Sequence, residues 1–313
     1  MAYFNAVLNQ VIIFLLIGVT GFIVVKIKAV PQSVLPSISI LFAKVIIPAL
    51  VFINTVNGAT REDMVSSIFI LGIIAIVFVL LIVVMKLLSK GLRMKGDRAK
   101  IYPILFAHGS VGFVGIPLLL SIFGQRAMIV VTIYAIMDMV TLWTYSYTQT
   151  FPATNKLKFT PKTLLKMINP TLVAVVLAIV FIFLEVRIPI IINSALESVA
   201  NAGMALPFIY IGGSLASMAN SDLLKRAEIY IGIFVKMLLL PIAVYLAMTA
   251  LGIAHDLSLI TAILFGLPSM PLVAMLAGIN GSDEQYSTTV VLVTNVACLF
   301  TLTFITYVIT VVL

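Results

Sequence analysis

The segment His108–Pro117 reads HGSVGFVGIP and lies inside an apolar run at about 101–122. Three glycines and one proline fall within nine positions of this segment, and both residue types weaken a helix from within. A second segment, Gly266–Pro271 or GLPSMP, carries two prolines inside the apolar run at about 258–278. Broken backbone at membrane depth is tolerated only where it is buried in protein or lines a cavity. The two segments therefore predict a binding site between two broken helices, with close helix packing and simple proline kinks as the structural alternatives.

The composition around these segments is that of a membrane protein. Of the 313 residues, 62% are hydrophobic and 10% are charged, whereas a soluble domain carries about 25% charged residues. This excludes soluble enzymes and large domains outside the membrane. Cys298 is the only cysteine and the two histidines lie far apart, so neither an internal disulfide nor a metal site is expected. The net charge of +8 comes from basic residues in short gaps between apolar runs, which is typical of membrane proteins and not of nucleic-acid binding.

The apolar runs predict ten membrane-spanning helices, because each is close to the roughly 20 residues that a bilayer core requires. The windows are about 7–25, 34–56, 65–88, 101–122, 127–149, 170–186, 198–218, 229–251, 258–278 and 286–312. Of the 19 Lys and Arg residues, 14 fall in odd-numbered gaps when Lys86, at the end of its window, is counted with the gap that follows; 3 fall in even-numbered gaps, and Lys44 and Lys236 fall inside windows. Cytoplasmic loops carry the excess of basic residues, so we expect both termini on the extracytoplasmic side of the cell membrane. The odd-numbered gap near Asp283, which has no basic residue, is the exception.

Features of the chain also recur at a nearly constant offset. The pairs, 157 to 159 residues apart, are Pro48 with Pro207, Gly124 with Gly281, and Asp138 with Asn295. Five spans in each half place the second copy upside down in the membrane, and inverted repeats are characteristic of secondary transporters. We therefore divide the chain into a first five-helix repeat at 1–150, a basic cytoplasmic linker at 151–168 and a second, inverted repeat at 169–313. A chance match of a few residues is the alternative.

The two breaks favour a bound anion. Each starts a new half-helix, near Pro117 and near Pro271, and a helix N-terminus offers unpaired N–H groups and a partial positive charge. The residues expected to bind the substrate are Ser110, Gly112, Gly115, Pro117, Pro268, Met270, Pro271, Lys236 and Asn295.

Asp138 and His108 are the candidates for carrying a coupling proton. Asp138 is the one acidic residue well inside a window, and His108 directly precedes the first glycine. The structural alternatives are an ion pair for Asp138, an interfacial role for His108, an ordinary interhelical hydrogen bond for Asn295 and snorkelling to the interface for Lys236. Asn54, at the end of the second window, is interpreted as a cap or loop residue.

These segments resemble those of the auxin efflux carrier family. The resemblance covers essentially the whole chain and rests on the ten windows, on Gly112–Pro117, on Leu267-Pro268 and on the run IIPAL at Ile46–Leu50. It implies a fold like that of bile-acid sodium symporters, in which spans 4 and 9 cross as broken helices. It also implies a homodimeric elevator with spans 1, 2, 6 and 7 as scaffold. Ser110 stands where the family commonly has Asn, and the linker is short, so the resemblance points to a bacterial-type carrier, of the kind assigned to malonate or malate.

The sequence thus predicts an all-α polytopic membrane protein that moves a small carboxylate by alternating access, without a cofactor. An anion-conducting channel and a sodium-coupled organic-anion symporter are the alternatives. The channel is disfavoured because no polar filter or ring of like charge is present. An enzyme is not expected, because the chain has one intramembrane carboxylate, no Gly-x-Ser-x-Gly elbow and no phosphate-binding loop for ATP. The expected partners are the lipid bilayer, the substrate anion and a second copy of the chain.

Overall fold

The computed structural model describes residues 2–154, 170–203, 205–216 and 221–309. Most of the predicted basic linker, including Lys156, Lys158, Lys162 and Lys166, lies outside the described residues. Within the described part of the chain, every element is a helix, and the one β-type pairing is an isolated bridge between Gly109 and Ser269.

The first half of the described chain runs through apolar helices joined by short turns. Their bounds are Ala2–Lys26, Gln32–Val34, Leu35–Leu41, Phe42–Ile46, Ile47–Gly58, Arg61–Ser66, Ile68–Gly91, Gly96–Ala107, Val111–Gly115, Ile116–Phe123, Gly124–Ala127, Met128–Thr141, Leu142–Ser146 and Tyr147–Gln149. The second half has the helices Pro170–Phe183, Ile190–Ala202, Leu206–Ala216, Ser221–Lys225, Ala227–Phe234, Val235–Leu239, Leu240–Ala250, His255–Phe265, Pro271–Asn280 and Glu284–Tyr307.

Fewer helices meet the length of a membrane span than the ten windows predict. Among the described residues, five helices are long and apolar enough, and a sixth is added if the pieces on either side of a 44° bend, Glu284–Cys298 and Phe300–Tyr307, form one span. The other apolar helices are 10–17 residues long, and they include His255–Phe265 and Pro271–Asn280, the two sides of a predicted break. A broken span is counted as two short helices, so the number of crossings and the inverted repeat remain predictions.

Prolines sit where the helices widen. Three five-residue π-helical segments each end two residues before a proline: Phe42–Ile46 before Pro48, Val111–Gly115 before Pro117, and Val235–Leu239 before Pro241. Proline has no N–H group, and its ring clashes with the carbonyl four residues earlier. The wider π turn accommodates both defects, so the chain passes each proline without ending the helix.

Close backbone contact joins the first helix, Ala2–Lys26, to Leu206–Ala216. A Cβ added at Gly212 would lie 1.8 Å from the carbonyl oxygen of Gly18, and one added at Gly21 would lie 2.3 Å from the carbonyl oxygen of Ile209. Small residues that let two backbones approach are typical of helix pairs in membranes. The two helices therefore form one tightly packed unit.

The contacts between loops fall into two groups. Arg61 lies 3.8 Å from Glu185; Arg61 belongs to the second gap of the sequence pattern, and Glu185 lies at the end of the sixth window, next to the sixth gap. Arg98 donates to Asp283 over 2.8 Å, and both belong to odd-numbered gaps. In the described chain, these two ion pairs are the ones that join regions at different gaps, and neither joins an odd gap to an even one.

Candidate functional site

The helix is interrupted at both predicted places, and the two interruptions pair with each other. We call residues 108–110 the first break and residues 266–270 the second break. The Ser110 amide donates to the Pro268 carbonyl over 2.9 Å, and the Met270 amide donates to the His108 carbonyl over 3.1 Å. Gly109 and Ser269, 160 positions apart, thus form an isolated antiparallel bridge, whose two hydrogen bonds satisfy backbone groups that the interrupted helices leave without partners.

The starts of the two half-helices agree with expectation in one break only. The second half-helix begins at Pro271 as predicted. The first begins at Val111, as the π-helical segment, and not near Pro117. Glycine tolerates helical as well as non-helical backbone, so Gly112 and Gly115 remain within the helix, and Gly109 alone of the three lies in the break. The first N–H groups of this half-helix therefore belong to Val111, which donates to the Gly109 carbonyl over 2.9 Å, and to Gly112.

Each of the two bridged segments carries a serine, Ser110 in the first break and Ser269 in the second. Ser110 and Ser269 are both 0% exposed, and the hydroxyl oxygens of both have no hydrogen-bond partner among the described residues. The Ser269 amide is held by the Thr294 hydroxyl over 3.1 Å, so the backbone of this serine is fixed although its side chain is not. A buried hydroxyl without a partner is costly, and such groups call for an explanation such as a missing ligand.

Leu267 of the second break packs closely against Gly109 and Gly115. A Cβ added at Gly115 would lie 2.8 Å from Leu267 Cδ1, and one added at Gly109 would lie 3.2 Å from Leu267 Cβ. These glycines allow close packing, the structural alternative given above, and substrate contact at Gly115 stays a prediction. By contrast, Gly112 lines a cavity, where a Cβ would be 3.4 Å from a Leu50 methyl group.

A cavity of about 40 Å³ lies beside the bridge, and we call it the break cavity. Its lining comes from Ile47–Gly58, from Val111, Gly112 and Ile116, from the helix Met128–Thr141 and from Met270. Its polar side chains are Asn54, Thr55, Thr132 and Asp138. A volume of this size holds about three water molecules or one carboxylate group. Asn54, interpreted above as a cap or loop residue, instead faces this cavity.

A fully buried chain of hydrogen bonds runs from the break cavity behind the first break. Asp138 Oδ1 lies 2.7 Å from His108 Nδ1, and Ser146 Oγ lies 2.7 Å from His108 Nε2. All three side chains are 0% exposed, and Asp138 Oδ2 has no partner within the described chain. The order of groups is that of a Ser–His–Asp triad, but Ser146 is not among the residues that line the break cavity.

Lys236 caps the second break. Its side chain is 0% exposed, and its ammonium group donates to the Leu267 carbonyl at the end of His255–Phe265. Cations are favourable at a helix C-terminus, where carbonyl groups lack partners within the helix. Snorkelling to the membrane interface is therefore wrong for Lys236. The side chain holds the break and does not line the break cavity.

Asn295 touches the second break from another side. Its amide donates to the Val291 carbonyl over 2.8 Å and reaches the Ser269 carbonyl at 3.5 Å. It lines a separate apolar cavity beside the first helix, together with Phe208 and Gly212. The structure thus places Asn295 near the break but outside the break cavity.

The polar residues around the breaks that the sequence did not predict are Ser269, Ser146, Thr55 and Thr132. Ser269 had a detectable signal, because it follows Ser110 by the same 159 residues that separate Pro48 from Pro207. Ser146, Thr55 and Thr132 had none, because a single hydroxyl in an apolar helix is common and its partner depends on the fold.

Two comparisons with known proteins bear on this geometry. The family model described as a membrane transport protein matches residues 6–306, a range that includes both breaks, Asp138 and Lys236. No curated protein matches the chain significantly.

Proposed function

Because the chain belongs to the membrane transport protein family, which is that of the auxin efflux carriers, we propose that it is a secondary transporter for a small carboxylate. The substrate binds in the break cavity, against the bridge between the two breaks. The observation that carries this proposal is the pair of buried serine hydroxyls, Ser110 and Ser269, that lack partners in the described structure. Neither serine lines the break cavity, but their chain neighbours Val111 and Met270 do, so the proposal has the carboxylate group move past these neighbours to the bridge. Each hydroxyl can donate one hydrogen bond to a carboxylate oxygen.

The backbone beside the cavity favours an anion. Gly112 lines the break cavity in the first turn of a half-helix, where N–H groups lack partners within the helix and the partial charge is positive. Met270 lines the same cavity one residue before the second half-helix begins. Both helix N-termini therefore border one small volume, and their partial charges add at a bound carboxylate.

A second cavity supports alternating access. Its lining includes Gln32, Ser214, Glu284, Gln285 and Thr288. Ser214, Gln285 and Thr288 follow Thr55, Met128 and Val131 of the break cavity by 159, 157 and 157 residues. These are the offsets of the repeat. Inverted repeats related in this way open equivalent pathways on opposite sides of a membrane, as a transporter requires and an open channel does not.

The loop contacts support the proposed orientation. Arg98 and Asp283 join two odd-numbered gaps, and Arg61 of the second gap pairs with Glu185 at the end of the sixth window that meets the sixth gap, as expected if odd and even gaps lie on opposite sides of the membrane. The helix Ile68–Gly91 exposes apolar side chains such as Ile76 and Val79, which suits contact with lipid. We place the basic odd-numbered gaps in the cytoplasm and both termini outside the cell membrane.

Helix packing supports an elevator mechanism. The first helix and Leu206–Ala216 are locked together through Gly212, which suits a rigid scaffold. The bridge joins the two broken helices, which suits a unit that moves as one body. A break cavity of about 40 Å³ has room for the carboxylate group, so the remainder of a larger solute requires movement between these units. A homodimer formed through the scaffold completes this proposal.

The proposed function is tested with purified protein and a panel of mono- and dicarboxylates, with and without sodium. We expect at least one carboxylate to raise the unfolding temperature, and the same compound to enter protein-containing liposomes with saturable kinetics. The double variant Ser110→Ala/Ser269→Ala should lose most of this response. The control Ser198→Ala, whose exposed hydroxyl donates to the Ser194 carbonyl, should keep it. Uptake that does not saturate would favour the channel, dependence on sodium would favour the sodium-coupled symporter, and no response to any carboxylate would refute the proposal.

A further inference from the structure

The hydrogen-bonded chain Asp138–His108–Ser146 is built to hold its imidazole in either charge state. A carboxylate only accepts hydrogen bonds, so Nδ1 of His108 carries a proton and donates to Asp138 Oδ1. In the neutral imidazole, Nε2 accepts from the Ser146 hydroxyl. In the imidazolium, Nε2–H donates to the same hydroxyl oxygen over the same 2.7 Å. A hydroxyl can do both, so a proton can arrive or leave without movement of the heavy atoms.

The protonation state of His108 changes the net charge that a bound anion meets at the breaks. Asp138 contributes one negative charge, and Lys236 is buried within electrostatic range of Asp138. Tyr134 beside the first break and Cys298 near Lys236 are neutral when protonated. Protonation of His108 therefore raises the net charge of the side chains at the breaks by one.

Asp138 connects this charge to the break cavity. Its Oδ1 is held by His108, whereas its Oδ2 lacks a partner in the described chain, and the residue lines the cavity. A carboxylate placed there meets a carboxylate, and two close negative charges in a water-poor site repel strongly. The imidazolium offsets this repulsion because it neutralises Asp138 directly.

We propose that His108 binds one proton at Nε2 together with the substrate anion and releases that proton when the anion leaves. Resting on the proposed function, this makes the transporter a proton–anion symporter, in which each anion moves together with one proton. Ser146 is a positioning residue that receives the hydrogen bond of the added proton. Asp138 holds the charged ring in place.

The test uses the fact that the chain has two histidines. His255 pairs with the Tyr245 hydroxyl at the start of another helix, away from the breaks. In the variant His255→Gln, labelled with ¹⁵N-histidine, the imidazole signals come from His108 alone. Its protonation is followed by NMR from pH 5 to 9, with and without saturating malonate as the probe. We expect malonate to move the titration midpoint to higher pH by about one unit.

Two further variants separate a coupling role from a structural one. Ser146→Ala removes the acceptor of the added proton and should lower the midpoint in malonate by about one unit, because a hydrogen bond to a charged group is lost. Asp138→Asn removes the charge that holds the imidazolium and should lower the midpoint further. A merely structural serine would leave the midpoint unchanged.

The outcomes distinguish this inference from the proposed function. Malonate that binds, as judged by thermal shift, with no change in the His108 titration overturns the symport inference and leaves the carboxylate transporter standing. If malonate fails to bind at any pH, another carboxylate from the panel takes its place. Binding by none of them overturns both proposals.

Discussion

Replacing Ser110 with alanine should stabilise the substrate-free protein and weaken its binding of carboxylates. The hydroxyl is fully buried and has no hydrogen-bond partner in the described structure, which costs about 1–3 kcal/mol. Its removal relieves that cost at the expense of a small void, so we expect a gain in stability of about 1 kcal/mol.

The loss of affinity follows from the same geometry. The hydroxyl is already desolvated in the free protein, so its hydrogen bond to a bound carboxylate contributes at full strength, about 1.5–3 kcal/mol. Removing it should raise the Kd about 10- to 100-fold. Ser269→Ala should behave in the same way, since its hydroxyl is equally buried and equally without a partner among the described residues.

The assay is thermal unfolding of the purified protein in detergent, repeated over a titration with the carboxylate that stabilises the wild type most. The exposed Ser198→Ala variant serves as the matched control, and its unfolding temperature and its Kd for the carboxylate should both equal those of the wild type within error. An Ser110→Ala protein that unfolds at a lower temperature and binds the carboxylate as tightly as the wild type would refute the reasoning.

Three packing predictions concern the helices around the site. Lys236→Met removes the ammonium group that caps the second break, and should lower the free energy of unfolding in denaturant titration by about 2–4 kcal/mol; an unchanged value would contradict the cap. Gly115→Val brings a Cβ to 2.8 Å from Leu267 Cδ1, and the overpacking should cost about 1–3 kcal/mol by the same measurement. The control Gly72→Val meets nothing within 4 Å and should cost less than 1 kcal/mol, about what the lower helix propensity of valine allows. Gly212→Ala meets backbone at 1.8 Å, which cannot rotate away, so it should destabilise more than Gly115→Val despite its smaller side chain.

Composition and local chemistry were enough for the class of protein and for the two breaks. An apolar fraction of 62% requires lipid as solvent, and glycine and proline at Gly109 and Pro268 disrupt helices through their own backbones. Both effects act within a few residues of sequence. The resemblance to auxin efflux carriers, confirmed by the family match over residues 6–306, rests on the same local segments.

The sequence predicted the start of a half-helix less accurately where a helix can continue past a proline. Pro117 looked like the start of a half-helix, yet the π-helical segment before it begins at Val111 and carries the chain past the proline. The choice between ending a helix and widening it depends on whether the neighbouring backbone offers partners. In the first break those partners come from His108–Ser110 meeting the second break, about 159 residues away.

Tertiary structure alone decided which polar side chains act together. The sequence identified Asp138, His108 and Lys236 as polar residues at membrane depth, because a buried charge is rare in an apolar run whatever its surroundings. It did not reveal that Asp138 bonds to His108, that Lys236 caps Leu267 or that Ser146 completes the chain. A hydrogen bond forms within about 3 Å, so its partners are fixed by how distant helices pack, and no spacing along one helix encodes that distance.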